Sequence, residues 1–209
     1  MHLLLTDRLA CPRCGPAFGL ILLSDRMENR RIRDGVLGCP NCRDSFPIVD
    51  GFGDLRAPPR RELSEGLAGV PREADGERLN RLMALMGVLE GPGTLALIGA
   101  AAALGSEMAE RIPEVEVVGI DADLVTWPEA ARFSRMVSRP GIPFYDRTLR
   151  GVAVDGRLGT AWLSEAARTV APRSRVVVEH APEGTDTALT GAGLQVLASE
   201  SGTVVATRA

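Results

Sequence analysis

The residues best placed to do chemistry are four cysteines, Cys11, Cys14, Cys39 and Cys42, the only ones in the chain. They form two pairs, Cys11-Pro12-Arg13-Cys14 and Cys39-Pro40-Asn41-Cys42, each with two residues between its sulfurs. That spacing lets one tight turn aim both thiolates at one ion. Four thiolates around a tetrahedral centre make a closed structural zinc site, with no position left for a reactive water. The competing reading is two disulfides, which suits a two-residue gap less well. The first seven residues lack the basic and long apolar regions of a secretory signal. A reducing, cytoplasmic location is therefore expected, where thiolates stay available to metal. The expected metal orders a small module and leaves hydrolytic chemistry to be sought elsewhere.

Elsewhere the candidates are few. Asp121 and Asp155 each follow an apolar strand-like run, and His180 stands at a comparable place. In open α/β sheets, ligands and catalytic residues gather at such strand ends. Each acid also has a plain structural reading, as the cap of the next helix or as a turn residue. An Asp-Gly pair after a strand favours the turn for Asp155. No GxSxG elbow is present to give His180 a serine partner. Every basic side chain other than histidine is Arg, so no Lys is available as a Schiff base or phosphate ligand.

The elements that must position these groups divide the 209 residues into a small module and one α/β domain. Residues 1–56 read as a β-rich ribbon: a strand over 20–23, a turn over 25–29, a return strand over 32–37, and a short strand over 46–49 closed by Asp50-Gly51. A core this small is expected to need its metal. Residues 57–76 read as a linker punctuated by Pro58, Pro59, Gly66, Gly69, Pro71 and Gly76. Apolar residues at 79, 82, 83, 86 and 89 predict a helix over 77–89. From Thr94 onward, strands at 95–98, 115–120, 135–138, 152–154 and 175–178 alternate with helices at 105–111, 127–133 and 160–170. A closing hairpin is expected over 194–197 and 203–206. This alternation predicts a Rossmann-like, mostly parallel sheet with helices on both faces.

Composition narrows the function. A hydrophobic content of 45% suits a buried core, and no apolar run reaches membrane-spanning length. The net charge of −3 excludes a chain that binds nucleic acid by bulk electrostatics. Arg30, Arg31 and Arg33 cluster between the cysteine pairs. They read as a charged hairpin edge or, alternatively, as an RNA-facing patch.

Two stretches carry a resemblance. The cysteine pairs with the following Phe46-Pro47-Ile48-Val49-Asp50-Gly51 resemble the zinc-ribbon activator subunit of RNA and protein methyltransferases. In that family the ribbon binds zinc, lends a strand to a methyltransferase and covers apolar surface on it. Residues 77–209, through "GTLALIGA", "VEVVGIDAD", "GIPFYDRTLRGVAVDG" and "AWLSEAARTVAPRSRVVVE", resemble the S-adenosylmethionine-dependent methyltransferase fold. By that resemblance Gly99 is the cofactor-loop glycine and Asp121 the acid that holds the ribose. Other anchors depart from the pattern. Leu97 replaces the first-strand acid, Ala101 and Ala103 replace loop glycines, and Ser138 or Arg139 stands where an acid meets adenine. Losing two hydrogen-bonding anchors weakens binding by roughly a hundredfold or more. The four alanines 100–103 favour helix, so the loop is expected to merge into the next helix. The expectation is a zinc-binding scaffold or regulatory partner of another protein, such as a methyltransferase, with an eroded S-adenosylmethionine pocket and no assigned catalytic residue. The alternative is an active methyltransferase with a built-in activator, using Asp121 for the ribose and Asp155 near the acceptor.

Overall fold

A computed structural model of the chain describes residues 1–71 and 75–209; linker residues 72–74 lie outside the described residues. In chain order the elements are α1 (Leu3–Thr6), β1 (Ala10–Cys11), β2 (Gly15–Gly19), β3 (Ile21–Glu28), β4 (Arg31–Gly38), β5 (Ser45–Val49), β6 (Phe52–Arg56), α2 (Gly76–Met86), β7 (Gly93–Ile98), α3 (Gly105–Arg111), β8 (Val115–Ile120), β9 (Phe133–Arg139), β10 (Leu149–Asp155), α4 (Thr160–Thr169), β11 (Val170–Glu179), α5 (Thr185–Gly191), β12 (Gln195–Glu200) and β13 (Thr203–Thr207).

Among the described residues, eleven strands form one sheet in the order β12-β13-β11-β10-β7-β8-β9-β6-β5-β4-β3. β7, β8, β9, β10 and β11 run parallel. The cores of β7, β8, β10 and β11 read as apolar runs because helices cover both faces, whereas β9 carries buried Ser134, Arg135 and Ser138. β13 closes the sheet antiparallel to β11, and β12 pairs with β13 as the expected hairpin. The chain is thus α/β, with a β-rich N-terminal ribbon.

The ribbon is part of this sheet. β6 pairs parallel with β9, Phe52 opposite Arg135 through Arg56 opposite Arg139. Residues 52–56 were not expected to be a strand, because Gly53 and Asp54 are poor strand formers. Tertiary contacts override that preference: Gly53 and Asp54 lie opposite Met136 and Val137 of β9, and an added Cβ at Gly53 would meet Met1 Cε at 2.5 Å; within the strand, Asp54 is taken up by Arg56 Nη2 at 2.7 Å. Phe46, Ile48 and Leu55 share one buried cluster with Ala96, Ile98, Val118 and Val152. The ribbon therefore borrows the sheet's core. This corrects the picture of a tiny core that stands on its metal alone.

Other boundaries moved for local reasons. β3 runs to Glu28, and the hairpin turns at Asn29-Arg30, both at positive φ (49° and 60°), as a right-twisted two-residue hairpin requires. α2 starts one residue early, where Asp75 accepts from the backbone N–H of Glu77 and Arg78 at 3.0 and 3.2 Å. It stops at Gly87, whose φ of 67° caps it, leaving Leu89 exposed beyond. The helix expected over 127–133 is absent. A 3-10 turn over Ala122–Thr126 replaces it, started by Asp121. Pro128 holds Trp127 extended, and Phe133 already belongs to β9. α5 was not foreseen.

Candidate functional site

Two places collect chemically capable side chains. The first is the cysteine cage. Cys11 ends β1, and Cys14 precedes the positive-φ Gly15; Cys39 follows β4, and Cys42 precedes Arg43, also at positive φ. The ligand atoms of all four lie within 4.8 Å of one another. The Sγ atoms of Cys11 and Cys42 are 3.8 Å apart, and those of Cys14 and Cys39 3.9 Å. A tetrahedron with metal–sulfur bonds of about 2.3 Å has edges of about 3.8 Å, so the donor set fits one ion. No pair is joined as a disulfide, which decides against that alternative. The Cys14 N–H donates to Cys11 Sγ at 3.4 Å and Asn41 Nδ2 to Cys14 Sγ at 3.3 Å, both favouring thiolate. Burial pushes the Cys11 and Cys42 thiols up. Burial is the largest influence on Cys39 and opposes its ionisation, but the N–H groups of Cys42 and Asn41 with the Cys11 and Cys42 sulfurs together bring that thiol to about 7. A cation that replaces the shared protons relieves this conflict.

The second place is the carboxyl end of β7, β8 and β10, where a doubly wound sheet binds its ligands. Leu97 is fully buried. Gly99, at φ 69°, opens a 3-10 helix over Gly99–Leu104 that runs directly into α3, as the alanine run foretold. Asp121 is only 7% exposed and lies at the end of β8. Its oxygens are already used: Oδ1 accepts from the Asp123 N–H at 3.0 Å and Oδ2 from the Leu67 N–H at 3.0 Å. Asp123 accepts from Gly66 and Gly69 N–H, each at 2.7 Å. Trp127 Nε1 donates to the Gly69 carbonyl at 2.9 Å. The linker thus lies across the strand ends as a strap. Its approach requires a missing side chain, since a Cβ on Gly66 would sit 1.7 Å from Asp121 Oδ1. Leu67 reaches the space in front of Gly99, 3.5 Å from where a Cβ on that glycine would be.

Asp155 is 1% exposed and caps the turn over Gly156–Leu158. Arg157 grips it with Nε at 2.9 Å and Nη2 at 2.6 Å, and His180 Nδ1 lies 3.5 Å away. Burial raises its pKa, but the Arg157 bonds dominate and hold the carboxyl below its usual range. That makes a structural anchor and a poor base at neutral pH. Two cavities border the strap: one of about 210 Å³, lined by Asp121, Ser138, Leu158 and Trp162 among others, and one of about 390 Å³, lined by Leu63, Gly69, Asp123 and Thr126 among others. Ligand pockets commonly measure about 300–1,000 Å³.

The arginine cluster is divided. Arg31 donates to the Phe133 carbonyl at 2.9 Å, and both Arg31 and Arg33 pair with Glu129. These two clamp the ribbon onto the loop before β9, and Arg30 is left exposed. The strap residues Gly66, Leu67 and Gly69, with Asp123, Trp127 and Arg157, were missed as site residues. Their signal was the Gly66/Gly69 spacing opposite two aspartates separated by one residue, a pairing that only the fold brings together.

Residues 2–51 match the Trm112p-like protein family, and the region after them has methyltransferase-fold neighbours. The precorrin-6y C5,15-methyltransferase of Geobacter metallireducens superposes with TM-score 0.50 at 13% identity, over 67% of this chain and 94% of that one. A complex between the Haloferax volcanii Trm112 methyltransferase activator and a protein described as a methyltransferase gives 0.48 at 19% identity, over 58% of this chain and 69% of that one. A Galdieria sulphuraria protein described as a sarcosine dimethylglycine methyltransferase gives 0.46 at 14%, over 58% of this chain; this chain spans 62% of its length. No curated protein matches in sequence.

Proposed function

We propose that the chain is a non-catalytic, zinc-binding scaffold or regulatory protein, a methyltransferase-type domain fused to its own Trm112-like ribbon. Residues 1–56 form the ribbon, 57–76 the linker and 77–209 the Rossmann-like domain. Zinc is the metal, because four thiolates at tetrahedral spacing suit it best. Free thiols and the absence of a long apolar helix among the described residues fit a cytoplasmic setting.

The observation that carries this reading is the use of Asp121 and Asp123 by linker N–H groups. Each Asp121 oxygen already accepts one backbone N–H, and the linker that supplies one of them lies over the carboxylate, so ribose hydroxyls would have to compete with the linker for that acid. With Leu97 and the alanine turn, S-adenosylmethionine loses each polar handle expected at β7 and β8. The Trm112-like ribbon supports a protein partner, a methyltransferase being the natural class. β6 is already paired within the chain, so that partner meets another surface or displaces it. The test is calorimetry of S-adenosylmethionine with the zinc-loaded chain. No heat of binding is expected at micromolar concentrations, and a micromolar Kd would overturn the reading.

A further inference from the structure

The strap is physically continuous with the cysteine cage. Cys39 directly follows β4, and its N–H donates to the Asp44 carbonyl at 2.9 Å. Asp44 leads into β5, where Ser45 pairs with Gly38 and Phe46 with Leu37. The Arg60 guanidinium stacks over the Phe46 ring, 5.3 Å from its centroid, and Arg60 Nη2 donates to the Ser45 carbonyl. Arg60 thereby pins the linker to the strand that the cage positions. Upstream, the Ala57 N–H donates to the Arg139 carbonyl at 2.9 Å, extending the β6–β9 ladder, and Arg56 Nη1 donates to the Arg61 carbonyl at 2.8 Å. A few residues further on, the linker reaches Asp121 and Asp123. The strap itself is thinly held. Ala68 is its one buried apolar residue, Leu67 is 37% exposed and Val70 74% exposed. Segments with few buried apolar contacts open at low free-energy cost.

We infer that residues 63–70 are a tethered occupant of the sheet's ligand-binding end, held in place by the ribbon, so that metal loss at the cage opens that end. Loss of the ion frees the Cys39 turn and, through the Cys39 N–H bond to the Asp44 carbonyl, the backbone of Asp44 and Ser45. Arg60 then loses its Ser45 carbonyl partner, although Phe46 stays buried, and the strap leaves Asp121 and Asp123 to solvent. The inference rests on the proposed zinc occupancy, so its test carries one arm that needs no metal removal.

Amide hydrogen exchange on the full-length zinc-loaded protein reads the N–H groups of Gly66, Leu67 and Gly69. A zinc chelator is expected to speed their exchange at least about tenfold while β10 and β11 stay protected. Arg60→Ala, with the cage intact and zinc retained, is expected to speed the same amides without exposing β4. Strap protection that survives either change overturns the inference. So does a chelator that strips protection evenly from the whole sheet, since the chain is then one cooperative unit with no separable strap. Binding of S-adenosylmethionine to the untreated protein bears only on the scaffold reading, so the two can fail separately.

Discussion

Gly66→Ala is the sharpest perturbation of the ligand end. The new Cβ would lie 1.7 Å from Asp121 Oδ1 and 2.6 Å from its Cγ. Asp121 Oδ1 is tied to the Asp123 N–H at 3.0 Å, so a carboxylate that swings away gives up that bond and the Leu67 bond, and otherwise the backbone lifts. Lifting breaks three N–H to carboxylate bonds of 2.7, 3.0 and 2.7 Å and the Trp127 bond of 2.9 Å. Water replaces part of each, so a net of about 1 kcal/mol per carboxylate bond is reasonable, about 3 kcal/mol in all. That corresponds to about a hundredfold shift in the local opening equilibrium. The assay is amide exchange at residues 67 and 69, with Trp127 fluorescence as a second probe. Both amides should exchange about a hundredfold faster, and Trp127 emission should shift to the red. β7 and β8 should stay protected, because their burial does not depend on the strap. Unchanged protection at 67 and 69 in a folded variant would refute the strap geometry.

Other expectations follow from the same contacts. Cys39→Ser removes one of four ligands and should abolish stoichiometric zinc binding by elemental analysis, with loss of NMR signals from the two cysteine turns and retention of those from β6, β10 and β11. Asp155→Asn should lower stability in urea by about 1–3 kcal/mol, since Arg157 loses a charged acceptor. The native Asp155 pKa is depressed, so its contribution is present above the unfolded value of about 3.9 and is lost as pH falls through the folded pKa. The variant's stability should therefore depend less on pH below about 4. Glu129→Gln should weaken the ribbon clamp and speed exchange in β6, whereas Arg30→Ala should leave β6 unchanged.

Much of this architecture was legible because it is local. The C-x-x-C spacing places thiolates whatever surrounds them, and parallel-sheet strands such as 115–120 are largely apolar runs that announce their own ends. The Asp121 cap and the Asp155 turn were foreseen as one reading of each residue, since both need only the next two residues. The hidden part is long-range. β6 is a strand only because β9 lies beside it, and Gly53 and Asp54 argue against it in isolation. The strap pairs residues 66–69 with 121–123, more than fifty positions away in the chain. Its donors are backbone N–H groups, which leave no mark in side-chain chemistry. Arg31 and Arg33 looked like a surface patch for the same reason: their partner Glu129 belongs to another element.

The most direct test of the central claim is a crystal structure of the zinc-loaded chain grown with saturating S-adenosylmethionine. The account predicts Leu67 N–H still on Asp121, Gly66 and Gly69 N–H still on Asp123, and no adenosyl density beside Gly99. Adenosyl density there, with the linker moved aside and ribose hydroxyls on Asp121, would contradict it.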